Sequence, residues 1–265
     1  MNKLVSGAIG VEVPLKAGVS KIALPDVINL RGKRIKHIDF CTFDKLIKTP
    51  SGADIIASGV ETKLFLTLIE SFTQKELIHD IPVTELNNNG NRLFIDKIVD
   101  FQRSFINLQG ISNTLDVTAK SVYMVFWYDE PKVWGTVQSN SRTAIQPIEI
   151  TLKASKTYFN ENRDLLNRRI QNIILSSQLL TPNGFEQVPS ANWNTKFLTL
   201  QKNGLQFFSQ VPLYIFYQAD QNFQLRLQNI VFDFQNSFIE TLSTTADDLK
   251  TVFFNVIIDD QPSKR

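Results

Sequence analysis

The chain has 265 residues, with 28 Lys and Arg against 26 Asp and Glu and a formal net charge of +2. The basic residues are scattered rather than clustered, which argues against a nucleic-acid footprint, and the lone Cys41 excludes an intramolecular disulfide framework. Hydrophobic residues make up 43 %, enough for a core in each of two domains, and twenty Phe against two Met point to aromatic, β-branched cores and hence to sheets.

Met1–Gly10 carries only Lys3 as a charge and lacks a long apolar stretch, so it reads as an arm and not as a signal peptide. Too short to offset its own ordering entropy, it is expected to order against a neighbouring subunit or a membrane surface. Val11–Ala17 reads as the first strand, with Val11, Val13 and Leu15 on one face. Val19–Leu24 reads as a further short strand. Arg34–Thr42 carries β-branched residues and alternates at Ile38 and Phe40. Its later counterpart, Asn162 to Leu175, has some helical spacing, but a shared fold makes both strands. Pro50-Ser51-Gly52 is a turn. Thr62–Glu70 is a strong strand. Glu76–Glu85 follows and is interrupted by Pro82, which places it at an edge or an end of pairing. Asn87-Asn88-Asn89-Gly90 is a loop. Asp100–Ile106 reads as a strand with one buried face. Val122–Asp129 contains the longest apolar run, too short for the ~18–20 residues of a membrane-spanning helix.

The second half repeats the first. Asp100-Phe101-Gln102-Arg103-Ser104-Phe105-Ile106 returns as Asp233-Phe234-Gln235-Asn236-Ser237-Phe238-Ile239. Phe65-Leu66-Thr67-Leu68 recurs as Phe197-Leu198-Thr199-Leu200. Val11 to Ala17 matches Ile148 to Ala154. Arg34, Ile35 and Ile38 match Arg169, Ile170 and Ile173. Lys120 to Tyr123, ending in Asp129, matches Lys250 to Phe253, ending in Asp259. The five matches are colinear, as a duplication with small loop changes requires. The expected organisation is an N-terminal arm 1–10, a first domain 11–131, a connector 132–147 whose Trp134 is expected to pack in the crease between the domains, and a second domain 148–265 that ends in a short tail. Pro182-Asn183-Gly184, Pro212 and Lys202-Asn203-Gly204 repeat the punctuation of the first half. About eight short strands per copy, separated by turns, are the signature of an all-β sandwich or barrel.

Nothing in the sequence gathers catalytic chemistry. His37 and His79 align with Asn172 and Ser209, so neither is a repeated ligand, and His37 reads as a satisfied sheet residue. Cys41 reads as a small buried hydrophobe. Zinc spacing by cysteines, Gly-x-Ser-x-Gly, His-Glu-x-x-His and a Gly-rich phosphate loop are all missing from the sequence. Asp100 with Asp233, and Asp129 with Asp259, sit where Asp suits turns. Glu12/Lys16 and Glu149/Lys153 read as solvated strand faces. No catalytic, cofactor-binding or metal-binding residue is assigned, and no cofactor is expected.

Two tandem eight-stranded domains with a short arm and short loops resemble the double jelly-roll major capsid proteins of tailless icosahedral viruses with an internal membrane. That lineage includes adenovirus, and the short loops look most like the capsid proteins of Flavobacterium-infecting lipid-containing phages. The likeness spans about residues 11–262 and rests on architecture and duplication, not on a short motif. It implies an all-β chain of two antiparallel jelly rolls related by internal duplication. It also implies a homotrimer whose six barrels form a pseudo-hexagonal capsomer, upright over a lipid vesicle. The implied partners are neighbouring capsomers, the internal membrane and minor capsid or penton proteins, without sequence-specific nucleic-acid binding. The implied location is the virion, after synthesis in the host cytoplasm. In that setting the arm is expected on the inner side of the shell, with Lys3 near an anionic headgroup or an acidic neighbour. Two other classes stay open: a carbohydrate-active or sugar-binding double β-sandwich, and a phage vertex or tail structural protein.

Overall fold

A computed structural model of the chain describes residues 4–16, 18–41, 46–56, 60–87, 95–109, 120–129, 143–162, 165–166, 168–175, 178–181, 184–187, 195–217, 226–227, 230–231, 233–242 and 251–259. Residues 132–142 of the connector, with Trp134, and Lys3, the Pro182-Asn183 turn and the C-terminal tail lie outside these residues, while 143–147, expected as connector, are already strand. The described chain is built of strands, and its longest helical turns have five residues. Two compact units are present: Ile9–Pro131, and Lys132–Arg265 together with Met1–Ala8.

In the first unit the strands are β2 (Gly7–Pro14), β3 (Lys21–Ala23), β4 (Arg34–Cys41), β5 (Asp54–Ile55), β6 (Leu64–Ile69), β7 (Glu76–Pro82), β8 (Lys97–Ile98), β9 (Phe105–Leu108) and β10 (Lys120–Asp129). They hydrogen-bond in the orders β2-β10-β4-β8 and β3-β9-β6-β7, and β5 lies parallel to the start of β10. In the second unit they are β11 (Thr143–Thr151), β12 (Ser155–Tyr158), β13 (Arg169–Leu175), β14 (Gln178–Thr181), β15 (Gly184–Gln187), β16 (Lys196–Lys202), β17 (Leu205–Pro212), β18 (Arg226–Leu227), β19 (Ile230–Val231), β20 (Phe238–Thr241) and β21 (Thr251–Asp259). Their orders are β11-β21-β13-β19 and β12-β20-β16-β17. Set β5, the β14–β15 hairpin and β18, which pairs with neither sheet, aside, and count the strands of each unit along the chain. Both units then have one sheet in the order first, eighth, third, sixth, and one in the order second, seventh, fourth, fifth.

The registers match as closely as the orders. Phe65 faces Pro82 and Phe197 faces Pro212. Both prolines end their strands, where a missing N–H leaves no gap in the ladder, and each is followed by a five-residue 3-10 turn, Val83–Asn87 or Leu213–Tyr217. The shift in β4 against β10 falls between Ile35 and His37, and that in β13 against β21 falls between Ile170 and Asn172.

Buried aliphatic and aromatic side chains hold each unit. Leu64, Leu66, Leu68, Ile106 and Phe126 fill the first, and the Phe101 and Phe126 rings meet edge to face at 5.2 Å. Phe197, Leu198, Phe208, Ile239 and Phe254 fill the second. Burying a side chain of this size stabilises by roughly 1.5–3 kcal/mol, so the shared Phe-Leu-Thr-Leu run is kept by its place in the core.

Two expectations are corrected. The repeated Asp-Phe-Gln motif is not a strand at its start. Residues 101–103 and 234–236 form turns, and the strands begin only at Phe105 and Phe238. Residues 4–10 are not a separate arm. A two-residue strand β1 (Leu4–Val5) runs parallel to β18, with Leu4 opposite Arg226 and Val5 opposite Leu227, and β2 starts at Gly7 instead of Val11. Val5, Ala8 and Ile9 are buried, which supplies the apolar contact that a free arm would lack.

Candidate functional site

The repeated motif is a backbone clasp in both units. The amide of Asp100 donates to the carbonyl of Ile69 at 2.9 Å, and Ser104 Oγ accepts from the amide of Ile69 at 3.0 Å. The amide of Leu24 donates to the carbonyl of Ser104 at 2.9 Å, and the amide of Ser104 closes the turn on the carbonyl of Asp100 at 3.0 Å. In the second unit Asp233 donates to Gln201 at 3.1 Å, Ser237 Oγ accepts from the Gln201 amide at 3.0 Å, and Phe159 donates to the Ser237 carbonyl at 3.2 Å. The turn thus joins the ends of three segments that are distant in sequence. Ser104 and Ser237 are fully buried, while Phe101 and Phe234 plug the turn from below. The aspartates act on their own turns: Asp100 Oδ1 accepts from the Arg103 amide, and Asp233 Oδ2 accepts from Asn236 Nδ2. A side-chain acceptor, a buried ring and a serine hydroxyl at these spacings make the same turn in both units.

His37 lies in β4 with its side chain buried, its Nε2 at 3.0 Å from Asp39 Oδ1. The other Asp39 oxygen accepts from the indole N–H of Trp127 at 2.6 Å. Alternation along β4 puts His37, Asp39 and Cys41 on one face, and the register sets Trp127 opposite His37 and Tyr123 opposite Cys41. The matching β13 positions are Asn172 and Ile174, so the cluster belongs to the first unit alone. The sequence reading missed Asp39 and Trp127. The His-x-Asp spacing on a strand was the available signal for the first, while the second comes from a strand 88 residues away. Cys41 is a buried thiol.

His79 is exposed on β7, with Nδ1 at 2.9 Å from Glu76 Oε2. It lies in the β3-β9-β6-β7 sheet, whereas His37 lies in the other sheet of the unit. Asp129 belongs to a charge network at the ends of β4 and β10: Lys36 Nζ lies 3.7 Å from Asp129 and 2.5 Å from Asp96, and Arg34 Nε lies 3.3 Å from Asp96. The side chain of Asp259 lies outside the described residues. Glu12 is not simply solvated, because Ser51 and Ser121 both donate to its Oε1 at 2.9 Å. Lys153, with Glu149, Lys156 and Tyr158, lines an open groove of about 590 Å³ between β11 and β12. Among the described residues no group of three or more His, Cys, Asp or Glu is placed to hold a metal ion.

Among the described residues three carboxyls sit below their ordinary range. Hydrogen bonds from Arg31 and then Gln102 lower Asp26. A hydrogen bond from Lys48 lowers Asp54, and bonds from Thr73 and then Lys97 lower Glu70. Beside these lies a surface feature present in both units but unmarked in the sequence reading. Lys21 Nζ stands 3.5 Å over the Phe105 ring, and Lys156 Nζ stands 4.6 Å over the Phe238 ring.

Comparison with protein-family models, with curated proteins and with solved structures gave no match.

Proposed function

We propose that this chain is a double jelly-roll major capsid protein that closes as a trimer into a pseudo-hexagonal capsomer of an icosahedral shell around an internal membrane. The observation that carries the reading is the repeated eight-strand order. In each unit the first, eighth, third and sixth strands form one sheet and the second, seventh, fourth and fifth form the other, which is the order of a jelly roll, an architecture used by viral capsid domains. Equivalent registers and an equivalent clasp in both units support duplication of one whole domain.

Physical reasons favour this use. A chain with two similar domains, tripled about an axis, presents six similar bodies, and closed cyclic symmetry is the usual state of homo-oligomers. A net charge of +2 lets many copies pack without strong mutual repulsion. A shell protein asks for broad contacts and for no active site, so no residue is assigned a catalytic role.

Native mass spectrometry joined to electron microscopy of the purified chain tests the reading. The expected result is a mass of three chains and a six-lobed particle. A stable monomer under all assembly conditions, or an elongated or five-fold assembly, overturns it.

A further inference from the structure

Four of the exposed large apolar side chains fall in the same two loops of each unit. In the first unit Ile28, between β3 and β4, is 73 % exposed, and Phe72, between β6 and β7, is 79 % exposed. In the second unit Leu166, between β12 and β13, is 49 % exposed, and Leu205, at the β16–β17 turn, is 70 % exposed. Hydrogen bonds bring the loops together with the clasp at one end of the first unit. Gln102 Nε2 donates to Asp26 at 3.1 Å, and Gln74 Nε2 donates to Asp100 at 3.4 Å. In the second unit the clasp bonds of Asp233 to Gln201 and of Phe159 to Ser237 tie the same loops.

The side chains differ between the units, Phe against Leu and Ile against Leu, while apolarity and exposure persist. A partner that reads shape would have fixed the side chains; a partner that reads only apolarity would not. A basic residue stands within three positions of each tip: Arg31 by Ile28, Lys75 by Phe72, Arg168 by Leu166 and Lys202 by Leu205. Arg31 is held by Asp26, Lys75 lies in the β6–β7 connection, and Lys202 ends β16 just before the turn to β17. An apolar tip beside a cation is the pattern that seats at a lipid interface, the tip among the upper acyl chains and the cation among anionic headgroups. Residues 5–9 are buried, and Leu4 pairs with Arg226.

We infer that Ile28 and Phe72 in the first unit, and Leu166 and Leu205 in the second, insert into the interfacial layer of an anionic bilayer. This rests on the capsid reading and names the part of each unit that meets the membrane.

The test is flotation of the full-length protein with vesicles of phosphatidylcholine and phosphatidylglycerol at three to one, and with phosphatidylcholine alone. Wild-type protein should float with the anionic vesicles. Ile28→Ser with Phe72→Ser should lower the bound fraction about tenfold, as loss of buried apolar area predicts, and Leu166→Ser with Leu205→Ser should do the same. Ile47→Ser, an exposed apolar residue elsewhere, should leave it unchanged. Equal flotation of both double variants and wild type overturns the inference, as does failure of wild type to float. Loss of oligomer mass in the variants also overturns it, because the tips would then join copies of the chain. Trimers that never bind vesicles sink this inference and leave the capsid reading; vesicle binding by a protein that stays monomeric does the reverse.

Discussion

The amide of Asp80 donates to Thr67 Oγ1 at 3.1 Å across a bulge in β7, and Asp80 takes a φ of 46° to do so. Gln210 repeats this at 3.2 Å from Thr199, with a φ of 52°. A left-handed backbone costs a non-glycine residue about 1–2 kcal/mol, so the threonine acceptors are what hold the bulges. Both units have threonine as the acceptor, while the residue of positive φ differs, Asp80 against Gln210. Thr67→Val and Thr199→Val, nearly isosteric, leave a buried amide unpaired and should each destabilise by ~1–3 kcal/mol. The corresponding Ser variants should lose much less. Urea unfolding and hydrogen exchange at Asp80 and Gln210 measure this, and unchanged midpoints for both Val variants would show that the hydroxyls do not hold the bulges.

The clasp makes a second expectation. Ser104→Ala and Ser237→Ala orphan the amides of Ile69 and Gln201 inside the protein and should cost ~1–3 kcal/mol each. Asp100→Asn keeps the backbone bonds and a side-chain acceptor, and should change stability by under ~1 kcal/mol. If Asp100→Asn proved the more damaging of the two kinds of change, an acidic role beyond the turn would have to be sought.

The two histidines should separate cleanly. His37→Asn places the residue of the second unit in a buried site and breaks the bond to Asp39, so a loss of ~1–3 kcal/mol is expected, with Trp127→Phe similar. His79→Asn, on an exposed side chain, should fall within about 0.5 kcal/mol of wild type. Assembly mass should be unchanged by either histidine variant. Thermal melts and native mass spectrometry check both points, and loss of a metal-dependent or hydrolytic activity in a folded variant would favour an enzyme.

Asp26 gives the pH dependence. Its carboxyl is held below the ordinary range chiefly by the hydrogen bond from Arg31. A depressed carboxyl contributes stability above its unfolded pKa and loses it as pH falls through the folded value. The loop contact should therefore persist at mildly acidic pH and weaken only below the usual carboxylate titration. In an NMR titration, Arg31→Gln should move the Asp26 midpoint upward toward the ordinary value; no movement would assign the shift to another group.

Periodic and repeated features were open to a sequence reading, and those set by distant partners were not. Both Phe-Leu-Thr-Leu strands and both proline ends follow from local pattern. Asp100–Arg103 misled because Phe101 and Phe105 mimic strand alternation, whereas the Ser104 amide folds the chain back onto Asp100. The bulges at Asp80 and Gln210 carry no glycine to mark their positive φ. Trp127 and Asp39 meet only through the pairing of β4 and β10. The Lys21–Phe105 and Lys156–Phe238 contacts repeat, but Lys21 and Lys156 sit in segments too dissimilar to align by eye.

The start of the chain makes the last prediction. Val5 is 1 % exposed and pairs in parallel with Leu227, itself 6 % exposed, so β1 is part of the second unit and not a loose extension. Deleting residues 2–10 removes β1 and the first half of β2, and should destabilise the isolated protein before any shell is built. A finer probe is Val5→Asp, which sets an unpaired carboxylate in an apolar site and should cost roughly 2–5 kcal/mol. Lys3→Gln, at a position before β1, should leave stability near wild type. The Leu227 amide in hydrogen exchange is the local readout. It should lose protection in Val5→Asp and in the deletion, and keep it in Lys3→Gln. If Val5→Asp unfolds like wild type while particles fail to form, the segment serves assembly instead of the fold, and the pairing of β1 with β18 is not what stabilises the second unit.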